Sequence, residues 1–254
     1  MDPKTFAMTL AKDAGAIIST NFAHGMEKEW KGDGTPLTVT DTTIDALLRE
    51  RVHNTFPNHG IISEEGEELN HGSELVWVCD PLDGTVPFSH GIPTAVFSLA
   101  LVQNGEPILG VVYDPFMDRM FVGEKGKGAR MNDEPIRVSS KKTIEQGVFG
   151  IVLWSGGKWD LLPLATGILQ QKGFVLNVLS GTHMGMLVGN GELCAAAHPS
   201  GTPWDTAPLK VIVEEAGGRV TDLFGEEQRY DQDTRGALIS NGILHDELIR
   251  MTGL

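Results

Sequence analysis

The stretch "ELVWVCDPLDGT", Glu74 to Thr85, decides how the rest of the chain is read. Its apolar run has the pattern of a buried strand. At the C-terminal end that strand delivers two aspartates, Asp80 and Asp83, and then breaks at Gly84. Carboxylates this close repel each other once both are ionised. Either they are solvated turn residues, or a positive charge sits between them.

Outward from this point, strands dominate the C-terminal side: "TAVFSLALV", "PILGVVYD" and "RMFVG", with "QNGE" as the turn joining the first two. On the N-terminal side, Asp2 and Pro3 read as the cap and first-turn proline of a helix. That helix puts Phe6, Leu10, Ala14, Ile17 and Ile18 on one face, with Gly25 beyond its end. A second helix runs from about Asp41 to Thr55 and buries Ile44, Leu47, Leu48 and Val52, and the polar loop "KGDGTP" lies between the two. Past Gly147 the rhythm changes to strand-like "GVFGIVLW", helix-like "KWDLLPLATGILQQKG", strand-like "FVLNVL", then "ELCAAA" and a helix opening at "WDTAPLKVIVEEAGG". The expectation is a mixed α and β protein of two tightly packed lobes, residues 1–146 and 147–254, with no Pro/Ser-rich linker between them.

Composition limits the function. The chain has 254 residues, 41% hydrophobic and 21% charged, enough for a sizeable core. Its formal net charge of −14 repels nucleic-acid backbones and anionic membranes, so neither is expected as a partner, and an anionic substrate would need bound cations first. No apolar run approaches the ~18 residues of a membrane span. The opening "MDPKTFAMTLAKDAG" is acidic and amphipathic, unlike a signal peptide, so a cytoplasmic setting is expected. Cys79 and Cys194 sit in apolar strand-like runs and read as buried free thiols, and two cysteines alone make no structural zinc site.

Asp80, Asp83 and the pair Glu64 and Glu65 of "IISEEGEEL" all end apolar runs, where α/β proteins collect their chemistry. Each taken singly also fits a solvated turn. Asp205 reads on its own as the N-cap of a helix that turns Leu209, Ile212, Val213 and Ala216 inward, with Pro208 in its first turn and Gly217 at its stop. "DPLDGT" as a unit says more. Phosphatases that form an aspartyl-phosphate need Asp-x-Asp, and the residue two before Asp83 is Pro81. A spacing of three instead lets both carboxylates and the Leu82 carbonyl curl around one point, the all-oxygen set that Mg²⁺ prefers. The amides of Gly84 and Thr85 can face an anion if a short helix begins there.

With "KGDGTPLTVTD" at 31–41, "ISEEG" at 62–66, "DPLDGTVPFSHGIP" at 80–93, "GEPILGVVYDP" at 105–115 and "WDTAPLKVIVEEAGG" at 204–218, nearly the whole chain resembles the inositol monophosphatase family of Mg²⁺-dependent, lithium-sensitive phosphatases. The resemblance implies a layered α-β-α-β-α sandwich, a homodimer, two or three Mg²⁺ ions and a small phosphorylated polyol or sugar as substrate. It implies Glu64 as a ligand shared between metals, Asp80 as the bridging carboxylate, Leu82 as a carbonyl ligand, Asp83 on a second metal, and Asp205 reaching that metal from the other lobe. Thr85 would orient the attacking water, with Asp41 polarising it. Lys31 takes the basic position of the preceding loop, Glu65 is the second glutamate of the acidic pair, and Asp83, Gly84 and Thr85 would meet the substrate.

Substrate choice rests on departures from the family pattern. Inositol-hydrolysing members carry a glutamate seven residues before the Trp-Asp aspartate, where this chain has His198 in "AAAHPSGTPWD". The small residues usual after Gly-Ser are replaced in "SGTHMGM", which places His183 there. Both histidines are candidates for the pocket, and each also fits a hydrogen-bonded surface or core residue. Related branches hydrolyse histidinol phosphate, fructose bisphosphate and 3'-phosphoadenosine phosphates. A regulatory protein-binding module that retains a metal site is the alternative of a different class. "GEKGKGAR", 123–130, reads as a solvated turn, and Trp30, Trp154 and Trp159 as core or interface residues.

Overall fold

The computed structural model describes residues 1–22, 28–32, 34, 36–69 and 72–254. Helix α1 (Pro3–Asn21) starts as its sequence requires: the Asp2 carboxylate accepts from Thr5 N at 3.0 Å, and Pro3 occupies the first turn, where a missing N–H costs nothing. Gly25 lies outside the described residues. Strands β1 (Glu29–Trp30) and β2 (Pro36–Leu37) pair antiparallel and lead into α2 (Val39–Thr55). This helix begins two residues ahead of Asp41, because Thr38 and Asp41 cap it reciprocally, with Thr38 N donating to Asp41 Oδ2 at 2.9 Å.

The first large sheet follows the chain in order: β3 (Gly60–Ser63), β4 (Leu75–Asp83), then past the short α3 (Thr85–Ser89), β5 (Val96–Gln103), β6 (Glu106–Asp114), β7 (Arg119–Glu124), β8 (Gly128–Met131) and β9 (Glu134–Pro135). β3 runs parallel to β4, and the remaining neighbours are antiparallel. Asn104 and Gly105 of "QNGE" have φ of 52° and 88°, the left-handed pair that a two-residue hairpin needs. Of "GEKGKGAR", only 125–127 form the β7–β8 hairpin turn: Gly123 and Glu124 end β7, Gly128 to Arg130 belong to β8, and Ala129 is buried, so the solvated turn is shorter than expected.

Next come β10 (Val148–Ile151), α4 (Leu162–Gln170), β11 (Phe174–Leu176), α5 (Gly181–Gly189), β12 (Ala195–His198), α6 (Ala207–Glu215), β13 (Arg219–Thr221), β14 (Ala237–Ser240) and α7 (His245–Thr252). The second sheet has the order β11-β10-β12-β14-β13, parallel around β10 and antiparallel around β14. Helix α6 starts later than "WDTAP" suggests. Thr206 is its N-cap, and Asp205 stands one residue earlier in a turn closed by Ala207 N donating to Pro203 O at 2.8 Å. The expectation that Asp205 caps this helix is therefore corrected.

These elements stack in five layers: α1 and α2, the seven-stranded sheet, α5 and α6, the five-stranded sheet, then α4 and α7. Four apolar clusters among the described residues fill the spaces between layers. The middle layer is covered on both sides, which is why Ala207 through Val213 of α6 are all buried. Within that run only Lys210 is charged, and its Nζ donates to Glu227 Oε2 at 2.6 Å, Glu214 Oε1 at 2.7 Å and Val220 O at 3.0 Å. Helix α6 lies so close on β6 that a Cβ at Gly110 would fall 2.3 Å from Pro208 O. Cys79 and Cys194 are buried free thiols. Trp30 is a surface residue, 64% exposed, and not a core one. Among the described residues no helix is long and apolar enough to cross a membrane.

Candidate active site

A cleft of about 310 Å³ opens where the C-terminal ends of β3 and β4 meet the segments leading into α5 and α6. Its floor is built by an irregularity in β4. Two residues three apart on a regular strand point to opposite faces. Here Asp80 pairs with Ser98 but Asp83 pairs with Val96, so β4 carries one more residue than β5 over this interval. That bulge brings both carboxylates to the same side. Asp80 Oδ1 is fixed by accepting from Leu82 N at 2.9 Å. At Gly84, φ is 91° and a Cβ would fall 3.0 Å from that of Ser180, so a side chain there would meet both strain and contact.

Asp205 joins the two from the turn before α6, and Asp80, Asp83 and Asp205 each offer a carboxylate oxygen within 4.8 Å of the others. Every one of these groups is buried. Burial, then the charges of Glu64, Asp83 and Asp205, holds the Asp80 carboxyl well above the usual carboxylate range. Burial first and Asp205 next push Asp83 up to about 7. Such a cluster asks for a cation, and its hard oxygen donors suit Mg²⁺ or a similar ion.

The cluster is braced by groups whose roles were not evident in the sequence. Asp83 Oδ2 sits at the start of α5, where it accepts from Ser180 Oγ at 2.5 Å, Thr182 N at 3.0 Å and His183 N at 3.3 Å. Asp205 Oδ2 accepts from Ser200 Oγ and Thr202 Oγ1. One oxygen of each carboxylate is thus occupied and the other left for a ligand. The visible signal for the first brace was Ser180 ahead of a small-residue run, the residue type of a helix start. Ser200 and Thr202 read only as loop.

Glu64 and Glu65 follow β3, and Lys31 lies between them, with Nζ donating to Glu64 Oε1 at 2.7 Å and also to Glu65. Burial raises the Glu64 carboxyl, and Lys31 opposes that shift, while the two glutamates keep Lys31 charged. Glu64 lines the cleft but stands outside the mutual set of three aspartates. The turn carrying it is held from α2 by Arg49, which donates to Glu65 O at 2.7 Å and Glu67 O at 2.8 Å, and whose Nε is fixed by Asp45 Oδ2 at 2.5 Å. Thr85 Oγ1 lies 3.2 Å from Asp41 Oδ1 and 3.0 Å from Leu82 O. Its single proton serves one of them, leaving its lone pairs to accept from a bound water.

The two histidines part company. His198 lines the cleft. His183 contributes its backbone N–H to Asp83, while its side chain is half-buried on the side of Asp114 and Arg119 and is not part of the cleft wall. Its expected pocket role is accordingly one of the backbone. Trp154 is no core residue either: it lies 38% exposed at the cleft.

The sequence profile of the Inositol monophosphatase family matches residues 2–252. The chain belongs to the inositol monophosphatase family. A fructose-1,6-bisphosphatase/inositol-1-monophosphatase of Thermotoga maritima is 30% identical over 253 residues, covering 99% of this chain and 96% of its own. A histidinol-phosphatase of Chlorobaculum parvum is 31% identical, over 97% of this chain and 95% of its own. Among solved structures, an IMPase of Thermotoga maritima superposes with a TM-score of 0.90 at 29% identity, covering 100% of this chain and 97% of its own. Members of this inositol monophosphatase family are phosphatases of phosphate monoesters, and the layered fold described above is theirs.

Proposed function

We propose that this chain is a Mg²⁺-dependent phosphomonoesterase acting on a small phosphorylated metabolite of the polyol, sugar or amino-alcohol kind. The observation that carries it is the buried triad Asp80, Asp83 and Asp205, with ligand oxygens within 4.8 Å of one another in the cleft. Asp80, Asp83, Asp205, Glu64 and the Leu82 carbonyl would hold the ions, two or three in number. When bound, divalent cations in such a site make water a better nucleophile and offset the charge of the transferring phosphoryl group.

The chain's own groups do the positioning. Thr85, backed by Asp41, holds a water at the end of β4 and takes its hydrogen bond. The Gly84 and Thr85 amides, opening α3, meet the phosphate oxygens. Lys31 shares its charge with Glu64 and Glu65, so a cation arriving at Glu64 competes with it. A homodimer, lithium sensitivity and a cytoplasmic setting belong to the same reading, on the support of family membership. The binding-module alternative has no observation of its own beside a complete acidic site.

Phosphate release from inositol 1-phosphate, histidinol phosphate, fructose 1,6-bisphosphate, 3'-phosphoadenosine 5'-phosphate and β-glycerophosphate, with Mg²⁺ and with EDTA, tests this directly. Mg²⁺-dependent release from at least one is expected. Silence across all five from folded, Mg²⁺-binding protein would favour the binding module.

A further inference from the structure

Apart from the acidic cluster, the cleft wall is largely apolar: Val86, Val152, Trp154, Leu179 and Trp204. The hydroxyls on that side, Ser200 and Thr202, are turned to Asp205 Oδ2 and to each other. His198 is the remaining polar side chain of this wall. Its Nδ1 accepts from Ser200 N at 3.2 Å. With Nδ1 taken by that N–H, Nε2 is the ring nitrogen left to a substrate, as an N–H donor.

Two wall residues are placed with unusual care. Leu179 has φ of 52°, a left-handed conformation that a bulky side chain rarely adopts and that clusters at ligand sites. Trp154 rests on Gly156, where a Cβ would fall 2.5 Å from the indole, and more than a third of it is open to solvent. Asn177 ties the two loops together, with Nδ2 donating to Leu153 O at 2.9 Å and Oδ1 accepting from Leu179 N at 3.3 Å. An indole and a leucine braced in this way make an apolar platform.

A bare polyol presents a hydroxyl on nearly every carbon, and each one set against this wall without a partner carries a desolvation cost. A flat unsaturated ring stacks on indole without such a cost. We propose, resting on the phosphatase reading of the same site, that this cleft selects a phosphate monoester whose alcohol portion carries a flat unsaturated ring over a bare polyol phosphate. The ring is seated on Trp154 and Leu179, and an acceptor atom on it takes the His198 Nε2 hydrogen bond.

The test compares kcat/KM, with saturating Mg²⁺, for two ring-bearing esters (histidinol phosphate and 2-phenylethyl phosphate) and two without a flat ring (inositol 1-phosphate and β-glycerophosphate). Histidinol phosphate, whose ring carries an acceptor nitrogen, should exceed both esters without a flat ring by about tenfold, with 2-phenylethyl phosphate, whose ring carries none, in between. Trp154→Ala should cut the ratio of histidinol phosphate to β-glycerophosphate about tenfold, mostly through KM, while Trp154→Phe should keep most of the ratio because it keeps a flat face. Circular dichroism of each variant checks that it is folded. Inositol 1-phosphate turned over as well as the ring-bearing esters, or a ratio unmoved in Trp154→Ala, overturns this inference and leaves the phosphatase reading standing. Release from none of the four by folded, Mg²⁺-binding protein overturns both.

Discussion

Asp80 is 2% exposed and has three other carboxyl groups for neighbours, so the unliganded site is a source of strain as well as of chemistry. Replacing it with asparagine should lower kcat on the order of a thousandfold, since a neutral amide would hold a divalent cation far less well than a carboxylate does. The same Asp80→Asn change should raise the melting temperature in EDTA at pH 8, because it removes a buried like charge. Loss of activity without that gain would mean the aspartate is structural. The pH dependence has a definite sign. Asp83 rises from 3.8 to about 7 on folding, so between those values the folded chain binds more protons than the unfolded one and stability falls as pH climbs. Calorimetry in EDTA should show this decline from about pH 4 to 7, and the melting-temperature gain from Mg²⁺ should be larger at pH 8 than at pH 5. A flat profile in EDTA would contradict the burial of these carboxylates.

At the scale of elements, α2 does more than cover the sheet. Its Arg49 spans the carbonyls of Glu65 and Glu67 with a fork that lysine cannot reproduce. Arg49→Lys should raise the Mg²⁺ concentration for half-maximal activity several-fold, and calorimetric titration of Mg²⁺ should show the matching loss of affinity. Unchanged Mg²⁺ binding would show that the Glu64 turn holds itself. The bulge in β4 and the start of α5 act in the same way on Asp83, one aiming the side chain and the other holding its Oδ2. Helix boundaries were legible to within a few residues wherever capping chemistry was written plainly, as at Asp2 and Pro3. At "WDTAP" they were not, because the Ser200 and Thr202 hydroxyls of the same loop hold the Asp205 carboxylate away from the cap.

Over the whole molecule, the site depends on α6 being pressed against the first sheet, since Asp205 stands just ahead of that helix while Asp80 and Asp83 belong to β4. Gly110 permits the close approach. Gly110→Val should push α6 outward, lowering stability by about 2 kcal/mol or more by overpacking and weakening Mg²⁺ binding with it. Thermal unfolding and Mg²⁺ titration of the same sample would check both, and retained Mg²⁺ affinity would mean that Asp205 is held by Ser200 and Thr202 alone.

By itself the sequence determined the two long helices and the four consecutive strands β4 to β7 of the first half, the acidic residues able to hold a hard cation, and, through its motifs taken together, the family. Those features are local: apolar period, turn chemistry and the spacing of carboxylates are all written within short windows. Only the tertiary structure decided that Asp80 and Asp83 share a face, because a bulge is a property of pairing between strands. It also decided that Ser180, Ser200, Thr202 and Arg49 serve the site, that His183 turns its side chain away while His198 faces the cleft, and that Trp154 and Leu179 form its wall. Apart from the short-range bonds of Ser200 and Thr202 to Asp205, these depend on contacts between residues far apart in the chain, which no local pattern encodes.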